Sequence, residues 1–332
     1  MSDNGLYSCF ARGVALGATK VFELCLKSAE SGDVVAMFTV GDCFANGKGV
    51  AQDKAKAFEW YLRAANCGNV VAMNSVGWCY YSGEGVKQDF NKAYDWFLKS
   101  AINGNAKAMR NVGLCYAKGQ GVTQDMVKAF DWFRKTSDSG NPGAMFNVGV
   151  CYDNGQGVTQ DKTKAYEWYL KSANSGNADA MHNAGSCYSK GEGVTQDKAK
   201  AYVWFLKSAN NGNAYAMFAV GLCYDKGQGV TQDFTKAYEW YLKSANNGYA
   251  GAMYNVGWCY DNGEGVTQDS TKAFEWYLKS ANNGNADALF YVGWCYNNGY
   301  GVKKDKKTAL AWFLKAEKKG DTAATRAIRD WK

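Results

Sequence analysis

The dipeptide Gly-Val recurs at 49–50, 85–86, 121–122, 157–158, 193–194, 229–230, 265–266 and 301–302, always 36 residues apart and without an insertion. Trp60, Trp96, Trp132, Trp168, Trp204, Trp240, Trp276 and Trp312 keep the same interval, as do eight cysteines from Cys43 to Cys295. A constant period of this size means a solenoid, in which each copy covers the apolar face that its neighbour cannot bury alone. Residues 33–320 hold eight complete copies. Residues 1–32 keep register as a degenerate N-terminal repeat or cap, through Gly13, Val14, Lys20, Phe22, Leu26 and Gly32. Residues 321–332 begin a ninth copy and stop, which predicts a C-terminal capping helix with a polar outer face.

Each copy reads as two antiparallel helices. Helix A follows an Asn suited to N-capping (Asn69, Asn105, Asn141, Asn177, Asn213, Asn285). The single proline, Pro142, stands just after such an Asn, where its missing donor costs nothing. Helix A ends in a G-x-G-V loop. Helix B starts after an aspartate present in all eight copies, from Asp53 to Asp305, suited to a cap and to the helix dipole. Its apolar positions, such as Ala165, Trp168, Tyr169, Ser172 and Ala173, share one helical face. The eight tryptophans are read as core between layers.

The motifs A-x-x-x-[LV]-G-x-x-Y (Ala72 to Tyr80), G-x-G-V, the helix-B aspartate and K-A-x-x-W-[YF]-x-K-[AS]-A (Lys164 to Ala173) resemble the Sel-one-like repeat family, a relative of the tetratricopeptide repeat. The resemblance covers about nine-tenths of the chain. It implies an all-α fold, a right-handed α/α superhelical solenoid of 36-residue helix-turn-helix repeats. It also implies a non-enzymatic adaptor that holds other proteins together.

Composition agrees. Gly is abundant (38) and Pro nearly absent (1), which excludes collagen and proline-rich linkers; 47% apolar and 15% aromatic residues exclude a disordered chain. No apolar run approaches the ~18 residues of a membrane span. The N-terminus lacks the basic segment of a signal peptide. Eleven cysteines could suggest a disulfide scaffold, and cysteine-rich, penicillin-binding repeat proteins resemble a pattern with one Cys late in helix B and one early in the next helix A. Those positions are alanine here, as in Ala65 and Ala72. The Cys column sits once per copy inside helix A, at a layer spacing of ~10 Å that exceeds disulfide reach. Reduced, buried thiols and a cytoplasmic protein are expected.

Catalytic chemistry has little to work with. His182 is the only histidine, and Cys187 five residues on points to another helical face. No C-x-x-C, H-E-x-x-H, P-loop or S-x-x-K motif occurs. No enzyme activity, cofactor or metal is expected.

The net charge of +7 is concentrated: residues 303–332 carry ten Lys/Arg and four Asp/Glu, a net of +6, leaving +1 for the rest. That end is either a solvated cap or a docking patch for an acidic partner.

What varies between copies lies on helix A. Relative to the repeated alanine (Ala36, Ala72 and onward), the variable positions fall one before and two, six, nine and ten after. Mapped onto the tetratricopeptide relative, they line the concave groove, and the spacing of two, six and nine puts them on one helical face. One aromatic zone is Phe38, Trp78 and Tyr81; Phe146 lies between the zones; the larger zone is Phe218, Leu222, Tyr254, Trp258, Phe290 and Trp294, with Asp225 and Asp261 at its rim. Lys107, Arg110, Lys118, Ser186 and Lys190 make a more polar, basic middle. Such rings either anchor a partner or pack on each other and on the adjacent helix. Five basic and six acidic groove positions give a net of −1, which will not collect nucleic-acid phosphate. The expected function is a scaffold binding a peptide or protein segment in the groove. The alternatives are a hydrolase like the penicillin-binding relatives and a self-assembling structural solenoid.

Overall fold

The computed structural model describes residues 17–331; Gly13, Val14, Cys9 and the rest of residues 1–16, with Lys332, lie outside the described residues. Among the described residues there are 18 helices and no strand. They form two compact units divided between Trp168 and Tyr169. From Ala18–Glu30 to Pro142–Asn154, and again from Ala178–Lys190 to Thr322–Arg329, each helix packs on the next in sequence, so both segments are stacks of helix pairs. Most helices have 13 residues, as in Ala106–Lys118 and Phe234–Asn246, about 20 Å of helix. That is marginal for an isolated helix in water, so packing must supply most of the stability.

Helix ends are closed as the sequence predicts. Asn69, Asn105, Asn141, Asn177, Asn213 and Asn285 accept the backbone N–H three residues on at 2.8–3.0 Å. The helix-B aspartates do the same, as in Asp125 with the N–H of Lys128 at 3.0 Å. These N–H groups hold the carboxyls of Asp53, Asp125, Asp161, Asp197, Asp233 and Asp269 below their ordinary value. Gly119 ends its helix at φ +67°, in the left-handed region. Repeat 7 breaks the pattern, because Tyr249 takes the N-cap position and makes no side-chain cap.

The core is built from small residues on helix A against one ring on helix B. A Cβ on the helical Gly41, Gly77, Gly113, Gly185, Gly221, Gly257 or Gly293 would lie 2.5–2.7 Å from the ring of Tyr61, Phe97, Phe133, Phe205, Tyr241, Tyr277 or Phe313. The second loop glycine sets the approach of the next layer: the Cβ of a substituted Gly85 or Gly121 would collide with the carbonyl of Lys54 or Phe90, at the start of the preceding helix B. Edge-to-face rings repeat between layers, as in Tyr94–Tyr116, Tyr202–Tyr224 and Tyr238–Tyr260, whose hydroxyls also meet at 2.8–3.0 Å. Ser100, Ser208, Ser244 and Ser280, all fully buried, donate at 2.7 Å to the first carbonyl of helix A in their own repeat.

The tryptophan column is corrected. All eight are half-buried, and the fully enclosed ring is the next residue: Tyr241 is 2% exposed where Trp240 stays at the surface of the core. Trp132, Trp240 and Trp276 still pack against the preceding repeat's helix B and their own helix A, so their inter-layer role stands. Their outer faces carry a lysine three residues on, such as Lys243 over Trp240 at 4.2 Å. One face in the core and one under a solvated cation suits an indole better than full burial.

Gly113→Ala is expected to destabilise the protein by about 1–3 kcal/mol, seen as a lower urea midpoint, despite the gain in helix propensity, because the methyl overpacks Phe133. Adding Phe133→Leu should recover part of the loss. An unchanged midpoint in urea for Gly113→Ala would show that the ring is not what requires glycine there.

Candidate binding face

The variable residues of helix A fall into three columns with different fates. Two residues after the repeated alanine, Phe38, His182, Phe218, Tyr254 and Phe290 are half-buried. Each lies on the enclosed helix-B ring of its own repeat, at centroid distances of 5.4–5.6 Å. In the same column Asn74 is buried and accepts a hydrogen bond from Asn111 at 2.9 Å. Arg110 runs across Gly143 of the next repeat, close enough that a Cβ there would lie 2.8 Å from its Nε. Phe146 is half-buried as well.

Six residues after the alanine the outcome differs. Trp78, Trp258 and Trp294 remain 44%, 39% and 38% exposed, whereas Leu222 is half-buried. Trp78 stands edge-on to Tyr81 at 5.1 Å and to Phe97 at 5.8 Å. Tyr81 is held in turn, donating to Gln120 Oε1 of the next repeat at 2.8 Å. Trp294 leans on Tyr300 at 5.3 Å.

Nine residues after the alanine, the rim acids are engaged by the core. Tyr241 donates its hydroxyl to Asp225 at 3.3 Å, and Tyr277 donates to Asp261 at 3.1 Å. Tyr300 donates to the other oxygen of Asp261, which pushes its own phenol up to about 12. In repeat 1 the acid comes from the neighbouring column, where Tyr61 donates to Asp42 at 2.6 Å and burial raises the Asp42 carboxyl. A buried tyrosine hydroxyl needs a partner. Asp153, Asp225 and Asp261 occur where helix B has Tyr, at 169, 241 and 277; repeats with Phe lack the acid. This pairing was visible in the sequence and marks these acids as structural partners first.

Three rings that gather the others are absent from the sequence-derived site. Tyr291 contacts Tyr254 at 5.5 Å, Phe290 at 5.7 Å and Trp258 at 6.4 Å. Tyr215 and Tyr249 meet at 4.8 Å, and Tyr249 meets Phe218 at 5.1 Å. Their signal was a break of pattern: Tyr291 interrupts a column of Asn111, Asn147, Asn183 and Asn255, and Tyr249 replaces the capping Asn.

The buried thiols of the helix-A column are unsuited to nucleophilic work. Burial pushes Cys115, Cys151 and Cys223 up to about 11 and Cys259 and Cys295 up to about 12, the opposite of an activated cysteine. Burial likewise lowers the His182 imidazole and keeps it neutral near pH 7. No group of His, Cys, Asp and Glu among the described residues could hold a metal ion.

Eight copies of the Sel1 repeat match residues 34–69, 70–105, 106–141, 142–177, 178–213, 214–249, 250–285 and 286–321. Among solved structures, a protective antigen of uropathogenic Escherichia coli with an SLR fold is 34% identical, with a TM-score of 0.71. That alignment covers 92% of this chain and 66% of the antigen's, so this chain spans just under two thirds of it. A Sel1 repeat protein from Oxalobacter formigenes is 29% identical over 96% of this chain and 95% of its own, with a TM-score of 0.70. Yeast Tom70, 12% identical over 89% of this chain and 62% of its own, shares the fold alone at a TM-score of 0.50. No curated protein matches in sequence.

Asp261→Ala is expected to destabilise the protein by about 1–3 kcal/mol, because it leaves the enclosed Tyr277 hydroxyl without an acceptor. Tyr277→Phe in the same chain should restore most of that loss. If Asp261→Ala melts like wild type, the carboxylate is not a structural partner and is free for recognition.

Proposed function

The chain belongs to the Sel1 repeat family, and on that premise we propose that it is a non-enzymatic scaffold that holds a peptide or protein segment against the helix-A face. Sel1 repeat proteins are generally protein-interaction scaffolds. The observation that carries the reading is the exposure of Trp78 in the first unit and of Trp258 and Trp294 in the second, each six residues after the repeated alanine of its helix A. An indole left more than a third exposed loses much of the burial that tryptophan offers, and covering it is what a protein partner does. Half-buried residues of the neighbouring column lie beside these indoles in each unit: Phe38 in the first, with Arg110 and Phe146 at the same repeat position, and Phe218, Tyr254 and Phe290 in the second. Asp225 and Asp261 add fixed carboxylate oxygens at the rim of the helix-A face.

The terminal helices Ala18–Glu30 and Thr322–Arg329 fit the role of caps on the repeat array. Ala327, Ile328 and Trp331 pack on the core of repeat 8 while the arginines of that helix face outward in its sequence pattern. The basic end they belong to is a second surface available to an acidic partner. The described cysteines are all free thiols, and no helix among the described residues is long and apolar enough to cross a membrane. The free thiols fit a protein of a reducing compartment such as the cytoplasm.

Trp258→Ala with Trp294→Ala is expected to abolish capture of the protein's specific partners while leaving helicity intact and shifting the melting temperature little. Undiminished capture by the folded double variant, compared by quantitative mass spectrometry, would remove this face from the function. Thiol titration of the unfolded, unreduced protein should count all 11 cysteines; a set of disulfides would overturn the reducing compartment.

A further inference from the structure

Between repeats 5 and 6 the helix-A face opens into a cleft of about 310 Å3, within the size range of ligand pockets. The sequence makes this opening by removing bulk. Ser186 and Ser189 stand where repeat 7 has Trp258 and Asp261. At two other layer interfaces the equivalent positions are tied, by Tyr81 to Gln120 and by Tyr300 to Asp261. Here Ser189 and Gln228 face the cleft with no such bond between them.

The cleft's apolar wall comes from residues that break the repeat. Tyr249 abandons the N-cap bond that Asn makes in six other repeats. Gly251 vacates the space its ring occupies, since a Cβ there would lie 2.9 Å from it. Repeat 7 thus gives up a cap and a better helix former to hold Tyr249 on Phe218 and on Tyr215, which stays 60% exposed. Local rules broken together at one wall point to a site rather than to packing.

Lys190 is the only charged residue lining the cleft, and it pairs with no carboxylate. Beside it the Nδ1 atom of His182 is buried without a hydrogen-bond partner. Two other clefts are balanced: Lys54 meets Glu84 at 3.0 Å in one, and Lys306 and Asp330 both line the second. A cationic ligand is disfavoured, because Lys190 repels it and the three rings touch one another instead of standing apart as a cage.

We propose that this cleft is a discrete recognition site for an acidic-aromatic peptide element, an aromatic side chain against Phe218, Leu222 and Tyr249 with a neighbouring side-chain carboxylate on Lys190, beside the His182 ring. The inference rests on the scaffold reading for the class of ligand but not on the tryptophan face.

His182 is the sole histidine, so its imidazole resonance reports on this cleft alone in protein labelled at histidine. The probe is the blocked peptide acetyl-Gly-Asp-Phe-Gly-amide, whose only carboxylate is the aspartate side chain. It should shift the His182 signal saturably, and replacing its Asp with Asn, or the protein's Lys190 by Lys190→Glu, should weaken binding by about tenfold or more. Trp258→Ala with Trp294→Ala should leave the titration unchanged. No shift at millimolar peptide, or equal affinity for the Asp and Asn probes in folded protein, overturns the cleft and leaves the tryptophan face standing. A normal His182 titration in a tryptophan variant that still captures partners would sink the tryptophan face and keep the cleft.

Discussion

Everything else in the repeat depends on the contact between a helical glycine and one aromatic ring. In helix A the glycine presents no side chain, so the ring of Phe97, Phe133 or Tyr241 lies directly on the helix backbone. The ring fills the space between the two helices of a repeat and sets their separation. It also decides what its neighbours do. The adjacent tryptophan is turned a helical step away, to the edge of the core, where a lysine covers it. The cysteine two residues after the glycine is enclosed, and the loss of solvent raises its thiol. A second glycine, in the loop, performs the same service between layers, against the preceding helix B.

With that contact identical from copy to copy, the enclosed part of each repeat has little freedom to differ. Variation is left to the outer positions of helix A, and even there only part of it is free. Where helix B carries Tyr277 in place of a phenylalanine, the hydroxyl must be answered, and Asp261 answers it. Where a ring stands two residues after the alanine, it covers the enclosed aromatic of its own repeat. The residues released from structural duty are fewer than the variable columns suggest: Trp78, Trp258, Trp294 and the lining of the cleft beside Lys190. The surfaces proposed for recognition are therefore the places where the repeat departs from itself.

The architecture was almost wholly legible in the sequence. Period, caps, the proline at the start of a helix and the glycine turns are local properties, each fixed by a few neighbouring residues, and eight copies average away the accidents of any one. The candidate face was legible only as a set of columns. Phe218 and Trp258 look alike as variable aromatic positions, yet one lies on Tyr241 and the other stays exposed. Tyr215, Tyr249 and Tyr291 were overlooked because a single departure within a column carries no statement of what it touches.

The sequence by itself determined the fold class, the length of the repeat and the ends of the helices. It did so because hydrogen bonds at helix ends and helical periodicity act over four residues or fewer, and the period copies them along the chain. Tertiary structure alone decided which aromatic is core. Trp240 and Tyr241 are adjacent and both apolar, but they point 100° apart on the helix, and the helix is rotated so that glycine faces the tyrosine. Which ring is enclosed depends on that rotation, a property of two helices packed together that neither strand of sequence states alone.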